Sequence, residues 1–521
     1  MFVRFVGTTQ SDQPDTRSDH PSQPNEVPMS DTRPDTTEPS PPTEFDWPLM
    51  RTVLVMVLGG MMAFLDATIV NVGVETLRTE FGAGLDTIQW VATGYLLAVA
   101  VVTPLTGWLI DRFGGRRMWL TGLVAFVIGS VLCSLAWSAP VLIAFRVLQG
   151  FGGGMLEPIM LALLVRAAGP ARVSRLMGLL GAITVGPVLG PLLGGVILAN
   201  LDWHWLFLIN VPIGLAAIAL ALRYLPADTP ATAGGAPRVD VLGIALLCPS
   251  SAFLMYGLSR AGDGNGFANT PVLTGLVVGG LFLAAYLVHA LRTRTTPLID
   301  PRLFTRWTYT ASALGMTVLG VVLFSLLFLI PLYYQEVRDY SPLAVGLLLA
   351  PLGVGTLLGN PVAGRYSERL GARVLVPIGG LVIAATAVVF ITAGPTTPVA
   401  WLVPWTLLAG FGVGFVGAPT MGSLYRTVPG DMVPRATSAA MVLHQLGGAF
   451  GVAIVALVLQ RNLLTATQES AYGNTFWTLV VAAGLIFLAG LSLPARQRTT
   501  PPGTTPPGTT PPGTTAPDAT G

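Results

Sequence analysis

The sequence contains few charged residues. Of its 521 residues, 10% are charged and 52% are hydrophobic, whereas a typical soluble domain carries about 25% charged residues. Lysine is absent, so arginine supplies every basic side chain except the four histidines. A chain this apolar cannot hide its side chains in one soluble core, and a net charge of +2 gives no reason to expect a nucleic acid partner. The composition predicts an all-α protein that crosses a membrane many times.

Groups that usually carry catalysis or metal binding are also scarce. The two cysteines, Cys133 and Cys248, lie in apolar segments, and the histidines are scattered without ligand spacing. Neither a Walker sequence nor H-E-x-x-H occurs. The stretch GVGFVG (412–417) fits the dinucleotide fingerprint, but it lies inside an apolar helix rather than at a strand-to-helix turn. We therefore expect no enzyme activity, no metal and no ATP or other cofactor.

Both ends of the chain lack an apolar period. Residues 1–46 are polar and rich in proline, which predicts a disordered cytoplasmic tail without a cleavable signal peptide, and Met29 is a second possible start. Residues 496–521 contain repeats of Thr-Thr-Pro-Pro-Gly and predict a second structureless tail. Neither tail is expected to carry the function.

Fourteen apolar stretches recur between polar loops, each close to the length of about 20 residues that spans a membrane. They lie at residues 49–72, 87–110, 117–137, 140–164, 172–199, 205–224, 240–260, 271–291, 309–333, 342–364, 373–393, 399–421, 436–460 and 474–494.

The arginines predict how these helices are oriented. Inner loops of membrane proteins are enriched in basic residues. With the N-terminus inside, four arginines fall in outer loops: Arg78, Arg260, Arg338 and Arg461. The inner loops hold Arg112, Arg116, Arg117, Arg166, Arg172, Arg175, Arg223, Arg238, Arg292, Arg294, Arg302, Arg306, Arg365, Arg369, Arg373, Arg426 and Arg435. The asymmetry supports fourteen helices with both termini in the cytoplasm.

Two inner loops repeat one pattern. The loop after the second helix reads GWLIDRFGGRR (107–117), and the loop after the tenth reads GRYSERLGAR (364–373). Paired halves are typical of transporters whose substrate site lies between the halves. We expect a six-helix half at residues 47–225, two inserted helices at 226–295 and a second six-helix half at 296–495.

Five motifs along residues 47–495 resemble those of the major facilitator superfamily, and specifically its fourteen-helix drug:proton antiporters of the EmrB/QacA type. They are, in chain order, LDATIVNVGVETL (65–77), GWLIDRFGGRR (107–117), RVLQGFGGG (146–154), GPVLGPLLGG (186–195) and WHWLFLINVPIG (203–214). The resemblance implies a major facilitator fold in a bacterial cytoplasmic membrane. It also implies export of hydrophobic, often cationic, compounds driven by the proton gradient.

Asp66 and Arg146 are charges within membrane segments. Asp66 lies fifteen residues after Arg51, about 22 Å into the first helix, and Arg146 lies six residues after Pro140, about 9 Å into the fourth from the opposite face. In a core roughly 30 Å thick they sit at similar depth. They form either a fixed structural ion pair or a proton-coupling site, in which the pKa of Asp66 depends on what faces it.

Glu157 is a second acid within the membrane. It follows Arg146 by eleven residues, close to three helical turns, so both lie on one face of the fourth helix. This residue departs from the pattern of the family. It either attracts a cationic substrate or carries a second proton, or it pairs with an inner-loop arginine.

The fifth helix carries small residues at every fourth position: Ala182, Gly186, Gly190 and Gly194. Such a ridge lets another helix approach closely, and Pro187 and Pro191 remove backbone donors and bend the helix. The pattern predicts either a packed hinge that closes the outer half against proton leakage or ordinary membrane packing.

Several further residues complete the candidate site. Gly107, Asp111 and Arg112 belong to the first repeated loop, where Asp111 either latches helix ends in one state or simply balances nearby arginines. Possible cavity-lining side chains are Asn71, Gln149, His444 and Gln445, although a core histidine satisfied by hydrogen bonds is equally compatible with the sequence.

The sequence therefore predicts a monomeric antiporter that exchanges a small hydrophobic or cationic substrate for protons. One alternative is a dedicated exporter of an endogenous metabolite, antibiotic or lipid. A polytopic enzyme or sensor is a second alternative, but an enzyme needs converging reactive groups and a sensor needs an ordered output domain, and the sequence suggests neither.

Overall fold

The computed structural model describes residues 47–168, 176, 186–228, 240–260, 268–293, 297–426 and 428–493. The two predicted tails, Met29 and Ala182 lie outside these ranges. All the described residues fall in one compact unit, Phe45–Gly521. Within them every regular element is a helix, as the composition predicted.

The described residues up to 228 form nine helices. They are α1 (Trp47–Val72), α2 (Val74–Phe81), α3 (Leu85–Val102), α4 (Thr106–Phe113), α5 (Gly115–Ser134), α6 (Ala139–Ala168), α7 (Gly186–Asn200), α8 (Trp205–Leu208) and α9 (Asn210–Tyr224). The predicted second span is divided between α3 and α4 by a short 3-10 turn, Thr103–Leu105. Pro104 lies in that turn and has no backbone N–H to donate to the regular helical pattern.

The described residues from 240 onward form eight more helices. They are α10 (Val241–Arg260), α11 (Thr270–Arg292), α12 (Trp307–Leu332), α13 (Pro342–Leu370), α14 (Ala372–Ile391), α15 (Val399–Arg426), α16 (Val433–Thr465) and α17 (Gln468–Leu491).

Thirteen helical segments in the described part are long and apolar enough to cross a membrane. The remaining predicted span, 172–199, is described continuously only from Gly186, where α7 begins. Large apolar side chains also face outward; Leu281, Val481 and Leu488 are 66%, 64% and 62% exposed. An apolar exterior of this kind suits hydrocarbon rather than water.

Helix contacts show how the chain is arranged around its centre. In the first part α1 packs on α7 and α9, and α6 packs on α3 and α5. In the last part α12 packs on α16, α13 on α15, and α14 on α17. The two parts meet where α7 contacts α13 and where α16 contacts α4 and α6. The helix α10 lies against both α3 and α16.

The two repeated loops have matching backbone conformations. Gly114 has φ +91° and Gly371 has φ +79°, and each is the residue directly before a helix, α5 or α14. A side chain at such a φ is strained, so glycine is required in both loops. The sequence repeat is therefore a repeat of one helix–turn–helix junction.

Candidate functional site

Asp66 and Arg146 form a fully buried ion pair. Asp66 lies on α1 and Arg146 on α6, and an Nη atom of Arg146 is 2.6 Å from Oδ2 of Asp66. Both residues are 0% exposed. The similar depth predicted from the sequence is therefore realised as direct contact.

Two side-chain amides donate hydrogen bonds to the other oxygen of the Asp66 carboxylate. Asn210, the first residue of α9, donates from Nδ2 to Oδ1 over 2.7 Å, and Gln149 donates from Nε2 to the same oxygen over 3.0 Å. Both oxygens of the Asp66 carboxylate therefore face hydrogen-bond donors. We call Asp66, Arg146, Gln149, Asn210 and Ser130 the Asp66 network.

Further contacts, from inside and outside this network, hold Arg146 in place. Its Nε donates to the carbonyl oxygen of Val91 over 3.2 Å, and its guanidinium lies 4.3 Å from the ring centre of Tyr95 on α3. Gln149 accepts from Arg146 over 2.8 Å and donates to the hydroxyl of Ser130 over 2.7 Å. A buried charge pair is retained only where its remaining donors and acceptors are satisfied in this way.

Three of these residues were not singled out by the sequence. Ser130, Tyr95 and Asn210 lie on α5, α3 and α9, and all three are buried. Asn210 interrupts the apolar stretch LFLINVPIG, and a buried amide there was the available signal. Gln149, predicted as a possible cavity residue, is instead enclosed in the network in this conformation.

Glu157 is placed differently from Asp66. It lies inside α6 and is half-buried. Among the described residues, none forms an ion pair or a hydrogen bond with it. The pairing with an inner-loop arginine that the sequence left open is not seen in this part of the chain.

Asp111 joins two different parts of the bundle. One carboxylate oxygen lies 3.1 Å from Nη2 of Arg435 at the start of α16, and the other lies 3.4 Å from Nη2 of Arg166 at the end of α6. Arg112, the neighbouring residue predicted to share the gate, is exposed and pairs with none of the described side chains. The sequence analysis did not distinguish Arg435 from the other inner-loop arginines.

Next to this bridge, α4 touches α16 directly. The hydroxyls of Thr106 and Ser438 are 2.7 Å apart, and the backbone N–H of Gly107 donates to the Ser438 hydroxyl over 3.0 Å. A Cβ atom on Gly107 would lie 3.0 Å from the backbone of Arg435. Glycine at 107 therefore permits a close contact at the predicted cytoplasmic end.

The small-residue ridge of α7 faces α1. A Cβ atom on Gly190 would lie 3.0 Å from the backbone nitrogen of Ile69, and one on Gly194 would lie 3.1 Å from the carbonyl oxygen of the same residue. Gly186, Pro187 and Pro191 also belong to α7, but their surroundings are outside what the structure describes. The described half of the ridge thus serves close helix packing.

Three predicted cavity residues remain: His444, Gln445 and Asn71. His444 and Gln445 on α16 are half-buried, and Nδ1 of His444 is hydrogen-bonded to the carbonyl oxygen of Met316 over 3.0 Å. That contact fits a satisfied core histidine. The side chain of Asn71, near the end of α1, is outside the described residues.

A family model and solved structures of other proteins match this chain. Residues 56–452 match the family model described as Major Facilitator Superfamily. The human organic anion transporter MFSD10 superposes with a TM-score of 0.59 at 18% identity, covering 87% of this chain and 100% of that one. The proton:xylose symporter XylE gives 0.59 at 16% identity, covering 84% and 94%. These structures share the fold.

Sequence relatives are much more similar. The multidrug resistance protein B homolog of Mycobacterium tuberculosis is 37% identical over 430 residues, covering 82% of this chain and 79% of the relative. The multidrug export protein EmrB of Escherichia coli is 31% identical over 411 residues, covering 78% and 79%. The range of the family model includes the Asp66 network and the Asp111 bridge, and each of these relatives covers more than three quarters of the chain. The chain is a multi-pass membrane protein that belongs to the Major Facilitator Superfamily.

Proposed function

We propose that this protein exports hydrophobic or cationic drug-like compounds across the bacterial cytoplasmic membrane in exchange for protons, by alternating access. The observation that carries this proposal is the Asp66 network, in which a carboxylate is fully buried inside membrane-spanning helices. Acids inside membranes are costly and mark ion or proton pathways. The relatives named for multidrug resistance and multidrug export support a broad substrate range over a dedicated one.

Protonation of Asp66 would change its contacts with Arg146, Gln149 and Asn210. A neutral carboxyl group no longer balances the charge of Arg146, and one of its oxygens becomes a donor. Oδ1 of Asn210 is buried and lacks a described donor, so a rotated Asn210 amide could accept the new hydrogen. Because the network joins α1, α6 and α9, a proton on Asp66 favours a different packing of these helices.

The contacts of α4 with α16 support a gate at the predicted cytoplasmic end. Asp111 and Arg435 supply the charged contact, and Thr106, Gly107 and Ser438 supply the close polar contact. In this scheme the halves at residues 47–225 and 296–495 rock against each other. The gate separates when the site opens inward, and the ridge of α7 supports the opposite closure.

The remaining features of the proposal concern the topology, the energy source and the oligomeric state. Both termini lie in the cytoplasm, since the arginine-rich loops face inward. The proton gradient supplies the energy without ATP or another cofactor, and the transporter acts as a monomer. The inserted helices at residues 226–295 include α10, which lies against both α3 and α16 and so covers the seam between the halves.

The test uses everted membrane vesicles with a preformed proton gradient. Ethidium, a lipophilic cation, is added, and proton release is followed for the wild type, Asp66→Asn and Asp202→Asn. Asp202 is an exposed acid outside the network and serves as the matched control. We expect release from the wild type and the control, and none from Asp66→Asn at equal membrane insertion.

Two results would count against the proposal. Equal release from Asp66→Asn would remove Asp66 from the coupling mechanism. Absence of release from the wild type would remove exchange of a lipophilic cation for protons. Because Asp66→Asn leaves Arg146 buried without a counter-charge, its folded state is checked by gel filtration before the comparison.

A further inference from the structure

Asp228 joins the end of the first half to the first repeated loop. It follows α9 by four residues, and its two carboxylate oxygens accept hydrogen bonds from the backbone N–H groups of Arg116 over 2.8 Å and Arg117 over 3.1 Å. These are the second and third residues of α5. The first N–H groups of a helix have no partner within the helix. Asp228 therefore caps α5 from a distant part of the chain.

Two further features hold this junction together. The Nη2 atom of Arg116 donates to the carbonyl oxygen of Leu222, in the last turn of α9, over 2.6 Å. A Cβ atom on Gly114 would overlap the Asp228 carboxylate, so glycine is needed there for close approach as well as for its positive φ. The first repeated loop is thus bound to the end of α9 through both backbone and side-chain groups.

The junction is short enough to transmit its position to α4. Only Gly114 separates α4 from α5; its N–H donates to the carbonyl oxygen of Ile110 over 2.9 Å, and its own carbonyl accepts from Met118 over 3.2 Å. Backbone hydrogen bonds therefore continue on both sides of the glycine. Asp111, which contacts Arg435 of α16, lies three residues before it. Holding the first turn of α5 consequently limits where Asp111 can move.

The second half has the opposite charge at the corresponding position of the sequence. The chain leaves the first half as Leu-Pro-Ala-Asp (225–228) and the second half as Leu-Pro-Ala-Arg (493–496). The leucines that begin these two segments, Leu225 and Leu493, are both buried. An arginine side chain has no acceptor, so it cannot receive backbone N–H groups as Asp228 does. The internal repeat alone therefore does not account for the acid at 228.

We propose that Asp228 is a positioning residue for the cytoplasmic gate. It holds the first repeated loop on the end of α9, so that Thr106 and Asp111 of α4 stay in place to meet α16. The assignment rests on the gate of the proposed function. It adds to that gate a residue that touches neither α4 nor α16 through its hydrogen bonds and yet sets how readily the two helices meet.

The test measures how fast a disulfide forms between Thr106→Cys and Ser438→Cys, whose native hydroxyls are 2.7 Å apart, in membrane vesicles with a fixed amount of oxidant. The native cysteines, Cys133 and Cys248, are buried. Asp228→Ala removes both accepted hydrogen bonds, so we expect the disulfide to form about fivefold more slowly or less readily still. Asp228→Arg, which copies the second half, has at least the same effect. Asp228→Asn keeps one accepting oxygen and slows the reaction less.

Asp300→Ala is the matched control. Asp300 is also a half-buried acid that caps a helical turn, Pro301–Thr305, where it accepts from the backbone N–H of Arg302 over 3.0 Å. Its turn lies outside the first repeated loop, so we expect disulfide formation at the rate of the parent cysteine pair. A role of Asp228 in helix stability alone would lower the melting temperature and leave the disulfide rate unchanged.

Every other outcome counts against the assignment. A rate equal to that of the parent pair in folded Asp228→Ala overturns it, and so does equal slowing in Asp300→Ala. If Asp228→Ala does not fold, Asp228→Asn takes its place, and an unchanged rate in that variant overturns the assignment. When the parent pair cross-links normally, these results contradict only the role of Asp228. A parent pair that does not cross-link, or that still exports ethidium when cross-linked, contradicts the gate itself and the role of Asp228 with it.

Discussion

At the scale of single residues, the structure explains how a membrane segment tolerates Asp66. The free energy of burying an isolated ion in hydrocarbon is prohibitive. Asp66, however, has a guanidinium and two amides within 3.0 Å. Removing one member of a buried pair costs about 3–5 kcal/mol because the partner remains charged and desolvated. The energy of the site therefore belongs to the whole network rather than to the ion pair.

Replacing Asn210 with leucine tests this dependence on the network. The substitution keeps the approximate size of the side chain but removes the donor to Asp66, leaving one carboxylate oxygen with a single amide contact. We expect a loss of roughly 1–3 kcal/mol in the free energy of unfolding, measured in detergent by chemical denaturation. Asn200→Leu is the matched control, since Asn200 is exposed at the end of α7 and should change stability by less than about 0.5 kcal/mol. Equal losses of unfolding free energy in both variants would mean that the hydrogen bond from Asn210 to Asp66 adds no stability beyond that of an exposed amide.

At the scale of helices, the sequence predicted positions better than lengths. The apolar run predicted a helix at 342–364, but α13 continues to Leu370 through polar residues and ends before Gly371. Hydropathy marks where a segment leaves hydrocarbon, whereas the positive φ of Gly371 marks where the helix ends. Similarly α16 runs from Val433 to Thr465, beyond the predicted 436–460, because a helix can extend past the membrane.

The contact between α1 and α7 can be tested with Gly190→Val. The added side chain overlaps the Thr68 hydroxyl and approaches the backbone of α1. Overpacking of this kind costs about 1–3 kcal/mol, so we expect a lower melting temperature and reduced ethidium export. Gly484→Val on α17 is the control, because nothing lies within 4 Å of a Cβ atom there. If the melting temperature and export of Gly190→Val equal those of the control, α1 and α7 can move apart to accommodate the side chain, and their close packing is not needed for stability.

At the scale of the whole molecule, the contact between α4 and α16 joins residues that are far apart in the sequence. Thr106 and Ser438 are separated by 332 residues, yet their hydroxyls are 2.7 Å apart. Asp111 and Arg435 lie beside them and add the charged contact. In the proposed alternating-access mechanism, these few contacts hold this end closed and separate when it opens.

A disulfide between Thr106→Cys and Ser438→Cys should hold this end closed. The short distance between the native oxygens makes the bond feasible with little rearrangement. We expect oxidation to abolish ethidium export in everted vesicles, and a reductant to restore it. The two single cysteine variants, treated identically, should retain export. Undiminished export by the oxidised double variant, with the bond verified by mass spectrometry, would contradict the rocking mechanism.

The sequence by itself predicted thirteen spans that the described helices match, the repeated inner loop, and the similar depth of Asp66 and Arg146. Each of these follows from local properties: apolar length, a recurring loop motif, and a fixed rise per residue. Only the tertiary structure decided that Asn210 completes the Asp66 carboxylate and that Arg435, rather than Arg112, meets Asp111. Asn210 lies 144 residues from Asp66, and no local period relates side chains on different helices. Which of many arginines or amides reaches a buried acid depends on how the helices pack.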